Sequence, residues 1–466
     1  MTPVGDSTAR GRVLVHGLGR FGGGREAVRY LARRGFPVRI ADKSAGDDLQ
    51  EIRHSLADLP GLDWQLGRED EALLTDVERF VANPAVPDHH PLLLAARARG
   101  IEVTQEVDLF LAAYPGRVIA ITGTNGKSTT STLLHKALVQ SGVDALLGGN
   151  IGHSLLADDA HWRADQIAVL EISSFQLDRL AAHRRVHGAV FTRVLKDHVD
   201  RHGTLQAYHQ AKSRLAAAAT AFVIHAADDP VASDYATNAA LRLRYAATTP
   251  APRSAGLIGG FVALRLDASP GQRIVHADAL RLLGAFQVEN VMAASLAAHM
   301  VGGTAHGIGL AMANAAPLPF RLQLIATKNG VRIYDNGVST EIESTRSALQ
   351  TLLGRVHWLG GGKSKDGDYA TVAAALAPHI ASAHIFGTAA TPLAAALQAL
   401  GTTAPTTVSV TLREALQQAV AAARPGDAIL WSPAFASFDQ YPNFRARALE
   451  FHALLAEGRA QGEATR

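Results

Sequence analysis

The run Ile121-Thr122-Gly123-Thr124-Asn125-Gly126-Lys127-Ser128-Thr129 follows directly on the apolar stretch Arg117-Val118-Ile119-Ala120 and precedes the helix-compatible segment Thr130–Leu138. A strand that feeds a glycine-rich turn and then a helix commits this part of the chain to a parallel sheet flanked by helices. Glycines let the backbone turn tightly so that successive N–H groups face phosphate oxygens. Lys127 can neutralise phosphate charge, and Ser128 or Thr129 can ligate magnesium. The spacing departs from the general P-loop, which places a glycine where this chain has Ile121. It is the shorter Gly-Thr-Asn-Gly-Lys-Ser form. A glycine-rich turn with a solvated lysine is the plainer alternative, but the preceding strand and following helix favour phosphate, and so ATP.

At 466 residues the chain exceeds a single core of ordinary size, so several domains are expected. No apolar run is long enough to span a bilayer, and Met1–Arg12 lacks a hydrophobic segment, so a cytoplasmic protein without membrane insertion is expected. The absence of cysteine excludes disulfides, thiolate metal sites and thiol nucleophiles, leaving room for a hard metal held by oxygen and imidazole. A net charge of +3, with no basic block interleaved with aromatics, argues against nucleic acid and suits anionic small molecules. A monomer is expected.

Near the N-terminus, Val13-Leu14-Val15-His16 reads as a buried strand, Gly17-Leu18-Gly19-Arg20-Phe21-Gly22 as a turn, Arg25–Arg34 as a helix and Val38–Asp42 as the next strand. This is a βαβ unit with the dinucleotide fingerprint, and Asp42 stands near the place of an acidic residue that reaches a ribose hydroxyl. Alone it suggests a nicotinamide oxidoreductase. The second phosphate loop at Gly123 argues against that reading. A central block begins near Gly116, with core strands at Ile167–Ile172 and Gly188–Thr192 whose carboxyl ends would carry the chemistry. Gly302–Pro319 reads as an interdomain hinge. A third block has strands at Val331–Tyr334, His357–Leu359, Ser382–Phe386 and Ala428–Trp431, and Gln461–Arg466 reads as a frayed tail. The expected architecture is therefore three strand–helix alternating α/β domains, at residues 1–113, 114–316 and 317–466, the first and last Rossmann-like and the central one an ATPase-type fold.

Glu171 ends its strand, where it could cap the following helix or hold a metal. His198, within Asp197-His198-Val199-Asp200-Arg201-His202, is more than a surface histidine if the acidic cluster sits at a ligand end. Lys212 alone looks like any helical lysine.

Taken together, Gly123–Thr129, Leu170–Leu177, Asp197-His198, Asp200-Arg201-His202, Tyr208 with Ala211-Lys212, and Ser432–Tyr441 resemble the Mur ligases, in family order and across nearly the whole chain. The runs Ser-Ser-Phe-Gln-Leu and Ser-Pro-Ala-x-Ala-Ser-Phe-Asp-Gln are most similar to the members that join glutamate to UDP-N-acetylmuramoyl-L-alanine in peptidoglycan precursor synthesis. The resemblance implies a UDP site at Gly19, Arg20, Phe21 and Asp42, with Asn83 and Asn150 helping to seat the substrate. It implies ATP contacts from Gly123, Thr124, Asn125, Gly126, Lys127, Ser128, Thr129, Asn290 and Arg321. Magnesium would be held by Ser128, Glu171, His198 and Lys212, the last carrying a carbamate. Lys127, Glu171, His198 and Lys212 form the implied catalytic set, and Thr340, Lys365, Ser437 and Phe444 the implied glutamate contacts, with Lys363 a rival to Lys365.

The implied chemistry activates a carboxylate as an acyl phosphate, which the glutamate amine then attacks, and domain closure would exclude water. Three positions depart from the family pattern. Val338 replaces a lysine within Asn336-Gly337-Val338-Ser339-Thr340, Gly284-Ala285-Phe286-Gln287 replaces a Gly-x-His-Asn turn, and Phe320 replaces a histidine before Arg321. Losing a lysine changes local charge by a full unit. The departures favour a divergent branch of the family that adds L-glutamate over the members that add the D enantiomer, although enantiomers share every functional group.

Overall fold

The computed structural model describes residues 11–19, 22–46, 49–365 and 367–463. It contains three sheets. The first has five parallel strands in the spatial order Asp63–Leu66, Val38–Asp42, Arg12–His16, Val77–Ala82, Glu102–Thr104. The chain adds strands outward in one direction from Arg12–His16 and then in the other, so the order switches between Arg12–His16 and Val77–Ala82. Their carboxyl ends therefore flank the crevice in which open sheets of this kind take ligands.

The second sheet has nine strands, in the order Gln272–His276, Phe261–Arg265, Ser254–Ile258, Arg242–Tyr245, Ala219–Ala226, Val186–Phe191, Arg117–Thr122, Ile167–Glu171, Ala145–Gly149. Arg117–Thr122 lies between Val186–Phe191 and Ile167–Glu171, in parallel with both. All five residues of Ile167–Glu171 are buried, as expected of a strand covered on both faces. The outer three strands are an antiparallel extension, which strict strand–helix alternation did not anticipate. Its first hairpin turns at Gly259-Gly260, both with positive φ, the backbone a two-residue turn demands.

The third sheet runs Gln323–Lys328, Val331–Asp335, Ala428–Ala434, Val356–Gly361, Ser382–Phe386, Thr406–Ser409. Its edge strand Gln323–Lys328 is antiparallel to Val331–Asp335, joined through the positive-φ pair Asn329-Gly330, and the other pairings are parallel. Trp358, Trp431 and Phe451 are fully buried in this part of the molecule.

Packing divides the chain into two compact units. One comprises residues 1–277 and 289–313, and the other 278–288 and 314–466. Two expectations are corrected here. Gly302–Pro319 is not a bare hinge: it encloses the helix Ala305–Ala313, which buries Ile308, Ala311 and Met312 in the first unit and is capped by Thr304, whose hydroxyl accepts from the Gly307 N–H at 3.1 Å. The glycine and proline signals bracket this helix. The frayed tail expected at 461–466 is corrected for its first three residues, which continue the helix Phe444–Glu463, while 464–466 lie outside the described residues.

Candidate active site

The helix Lys127–Gln140 begins at Gly126, which holds a left-handed conformation (φ 85°) and lets the chain swing from the strand Arg117–Thr122 into the helix axis. Two residues press on the turn. A Cβ at Gly123 would come within 1.7 Å of Thr192 Oγ1, and one at Gly126 within 2.4 Å of Asn290 Oδ1, so glycine is required at both for steric as well as conformational reasons. Thr192 Oγ1 donates to the Asn125 carbonyl at 2.6 Å, and Thr130 Oγ1 donates to Asn290 Oδ1 at 3.3 Å. Thr124 Oγ1 accepts from the Leu195 N–H at 2.8 Å and lies 2.8 Å from the Tyr208 hydroxyl. The loop is thus braced before any phosphate arrives, with the helix N-terminus supplying partial positive charge.

Two lysines converge on it. Lys127 Nζ donates to the carbonyls of Gly123 and Thr124 at 3.0 and 2.8 Å. Lys212 Nζ donates to the Gly123 carbonyl at 2.8 Å from the helix Leu205–Ala218, and this residue is only 1 % exposed. Burial, reinforced by the nearby Lys127 charge and opposed by Asp197, drives the Lys212 amine well below the ordinary lysine range, towards its neutral form. A lysine that looks unremarkable in sequence is therefore among the most perturbed groups in the molecule.

Glu171 does not cap the helix that follows it. Ser173 does, in a reciprocal arrangement with Gln176, so the capping alternative is removed. The Glu171 carboxylate is buried. Its Oε1 accepts from Asn150 Nδ2 at 3.0 Å, while Oε2 has no hydrogen-bond partner among the described residues. An anionic oxygen left buried and unpaired is costly, and a cation would relieve it. His198 sits in a left-handed conformation (φ 50°) with Nε2 3.3 Å from Asp197 Oδ2 and its ring 4.9 Å from that of Phe175. Gly123, Lys127, Asn150, Asp197, His198 and Lys212 are among the residues lining one cavity of about 240 Å³. The structure therefore gathers most of the expected phosphate and metal residues at the carboxyl ends of three adjacent strands.

In the first sheet, Asp42 organises the turn it was expected to serve: Oδ2 accepts from the Leu18 N–H at 2.9 Å and Oδ1 from the Ser44 N–H at 3.0 Å. Gly19 has a positive φ there, whereas Arg20 and Phe21 lie outside the described residues. The Asn83 N–H donates to the His16 carbonyl at 2.9 Å, which places Asn83 at the crevice. Sequence reading did not single out Arg179, and quoted Arg201 only within the run Asp200-Arg201-His202, with no role of its own. Arg179 bonds Asp88 Oδ1 at 3.0 Å and the Asn83 carbonyl at 3.1 Å, and Arg201 donates to the Val86 carbonyl at 2.9 Å, so both hold the loop after Asn83. Thr192 was also missed as a site residue, although a threonine closing a buried strand was a usable signal.

The second unit carries the remaining residues. Arg321 lies between two positive-φ residues, Phe320 and Leu322. Thr340 precedes Glu341, whose carboxylate pairs with Lys365 Nζ. The rival Lys363 pairs through its backbone with Ala436, next to the buried Ser437. Phe444 opens the final helix. One turn further on, the fully buried Arg447 donates to the carbonyls of Gly361, Phe435 and Ala436, clamping the strand ends on which Lys363 and Ser437 sit.

Comparison with known proteins matches residues 11–105 to a Mur ligase MurD-like N-terminal domain, 121–298 to the Mur ligase middle domain, and 320–435 to the Mur ligase glutamate ligase domain. The chain is 33 % identical over 451 residues to a UDP-N-acetylmuramoylalanine–D-glutamate ligase of Acidobacterium capsulatum, covering 95 % of this chain and 96 % of that one. It is 32 % identical over 448 residues to the protein of the same name from Geobacter metallireducens, with 95 % and 96 % covered. Among solved structures, its fold is similar to the UDP-N-acetylmuramate-alanine ligase MurC of Thermotoga maritima (TM-score 0.62, 14 % identity, covering 96 % of this chain and 100 % of that one). It is also similar to a pseudomurein peptide ligase type C of Methanothermus fervidus (TM-score 0.58, 19 % identity, covering 91 % and 97 %).

Proposed function

The chain belongs to the Mur ligase family of ATP-dependent acid–amino-acid ligases, and on that premise we propose that it joins glutamate to the carboxylate of UDP-N-acetylmuramoyl-L-alanine through an acyl phosphate. The observation that carries this reading is the convergence of Lys127, Lys212 and His198 on one cavity, which is also lined by Asn150, the hydrogen-bond partner of Glu171. In the three-domain assignment, residues 1–113 bind the UDP substrate, 114–316 bind ATP and 317–466 bind the amino acid.

A carboxylate resists an amine because it is anionic and lacks a leaving group, and phosphorylation supplies one. Transfer requires two anions to meet. Lys127 exchanges its two loop carbonyls for phosphate oxygens, while the amides of Gly123–Thr129 hold the phosphates in line, so the loop acts by positioning and charge stabilisation. Asn290 keeps Gly126 in place for that task, and Arg321 is assigned to ATP as well. Ser128, Glu171, His198 and Lys212 would hold magnesium, and the unpaired Glu171 oxygen fits a cation. Held there, magnesium would supply further positive charge for the transfer.

Lys212 enters this set through carbamylation. The neutral amine, which the burial of Lys212 favours, adds to carbon dioxide through a new N–C bond and releases one proton, so that a neutral group becomes an anionic carbamate. Gly19, Arg20, Phe21, Asp42, Asn83 and Asn150 are assigned to the UDP substrate. Thr340, Lys365, Ser437 and Phe444 are assigned to glutamate. The reaction is placed in the cytoplasm and the enzyme is a monomer, which light scattering checks; no helix among the described residues is long and apolar enough to cross a membrane.

L-glutamate is the proposed acceptor. Val338 stands where the family has a lysine, and Lys365 is engaged by Glu341, so the local charge differs from the pattern that goes with the D enantiomer. D-glutamate is the second reading, supported by the names of the relatives at 32–33 % identity. Phosphate release and product formation, measured with UDP-N-acetylmuramoyl-L-alanine, ATP and each enantiomer separately, test both levels. Activity with L alone supports the proposal, activity with D alone selects the second reading, and activity with neither overturns the ligase assignment.

A further inference from the structure

At the carboxyl end of Arg12–His16, three side chains from separate parts of the first sheet's domain meet. His16 Nε2 lies 3.2 Å from Glu69 Oε1, and His90 Nε2 lies 3.4 Å from the same oxygen. All three ligating atoms fall within 4.8 Å of one another. We propose that His16, Glu69 and His90 form a zinc-binding site beside the first glycine-rich turn.

Spacing is the first argument. Two ligands bonded to zinc at about 2.0–2.1 Å in a tetrahedron stand about 3.3 Å apart, close to both separations seen here. Two imidazoles and one carboxylate are a ligand set that zinc accepts, with a fourth position left for water.

The second argument is the state of His16. It is 1 % exposed; among the described residues its Nδ1 has no hydrogen-bond partner, and its Nε2 has only the 3.2 Å approach to Glu69. A buried imidazole so poorly supplied with partners is uncommon, and an ion at Nε2 would give that nitrogen a strong one. The rings of His90 and Phe80, centred 5.2 and 5.6 Å away, wall it in. Glu69 is more open, with 37 % of its side chain exposed, and gives an ion a way in.

His90 must change its tautomer to take part. Its Nδ1 accepts from the Leu92 N–H at 3.3 Å, capping the helix Pro91–Ala98, so its proton sits on Nε2. Zinc at Nε2 moves that proton to Nδ1 and gives up the long capping bond. No net proton is released in this shift. The set also discriminates between metals: magnesium prefers oxygen ligands and retains its waters, so the ion that serves ATP does not compete here.

A bound zinc would tie the Gly67–Asp70 loop and the start of the helix Pro91–Ala98 to the end of the strand that enters Gly17-Leu18-Gly19.

The test uses the full chain, stripped with a chelator and titrated with zinc against a chromophoric competitor, then with cobalt to read ligand-field absorption. One equivalent per chain is expected, undisturbed by millimolar magnesium, together with a cobalt spectrum of tetrahedral intensity. Glu69→Gln, at a half-open position, and His90→Asn, which keeps a capping side chain, are each expected to weaken zinc binding by about tenfold or more. His16→Asn is the stronger variant, and circular dichroism checks its folding. Absence of stoichiometric zinc binding, or equal affinity in the folded Glu69→Gln and His90→Asn variants, overturns the proposal. Neither readout depends on ligase activity.

Discussion

In the proposed reading, the phosphate loop and the loops assigned to glutamate would hold an anion in opposite ways. Around Gly123 the positive charge is built into the fold: a helix N-terminus, a lysine folded onto its own loop, and a second lysine buried beneath it. Around Lys365 the charge is carried on an exposed loop and is already paired with Glu341. The first arrangement tolerates little change, since each part fixes another. In the second, single side chains can be exchanged without disturbing the sheet, and there the chain departs from its family's pattern. A reactive phosphate site gains from being rigid in advance, whereas amino-acid selectivity is free to drift.

This contrast can be broken experimentally. The largest effect is expected for Lys127→Ala, which should lower kcat by about a thousandfold or more while the far-ultraviolet circular dichroism stays unchanged, because it removes charge stabilisation at the transferring group. A mild loss would show that the loop amides suffice. Lys212→Ala should cost about a hundredfold or more in kcat if it supports a magnesium site. Removal of carbon dioxide should depress wild-type activity and added bicarbonate should restore it. Indifference to carbon dioxide would refute the carbamate.

Smaller effects belong to the second region. Lys365→Ala should raise KM for glutamate by about ten- to a hundredfold with little change in kcat, as expected when a charge-assisted contact to a carboxylate is lost. Lys363→Ala should do less, and the reverse order would exchange the two assignments. The smallest change is expected for Thr192→Val, which deletes the hydroxyl bracing Asn125: a loss of about 1 kcal/mol in stability by denaturant unfolding, with a severalfold rise in KM for ATP. An unaffected KM would mean that the loop is held well enough without it.

Much of the first region was legible in sequence because its signals are local. Gly123 to Ser128 specify a turn, and the flanking apolar strand and helix specify where it lies. The Gly259-Gly260 and Asn329-Gly330 pairs were equally local and announce the two antiparallel hairpins that strand–helix alternation overlooks. Glu171 was ambiguous until Ser173 proved to be the cap.

Lys212 shows where sequence stops. Eighty-nine residues separate it from Gly123, and only the fold brings its amine to that carbonyl and strips it of water. His16, Glu69 and His90 make the same point, since no spacing rule joins a strand end, a loop and a helix cap. Sequence alone determined the parallel α/β class, the phosphate turn and the order of the motifs, because these depend on residues close along the chain. Tertiary structure alone decided which charges are buried, which are paired and which oxygen is left without a partner, because desolvation and Coulomb energy depend on distance through space.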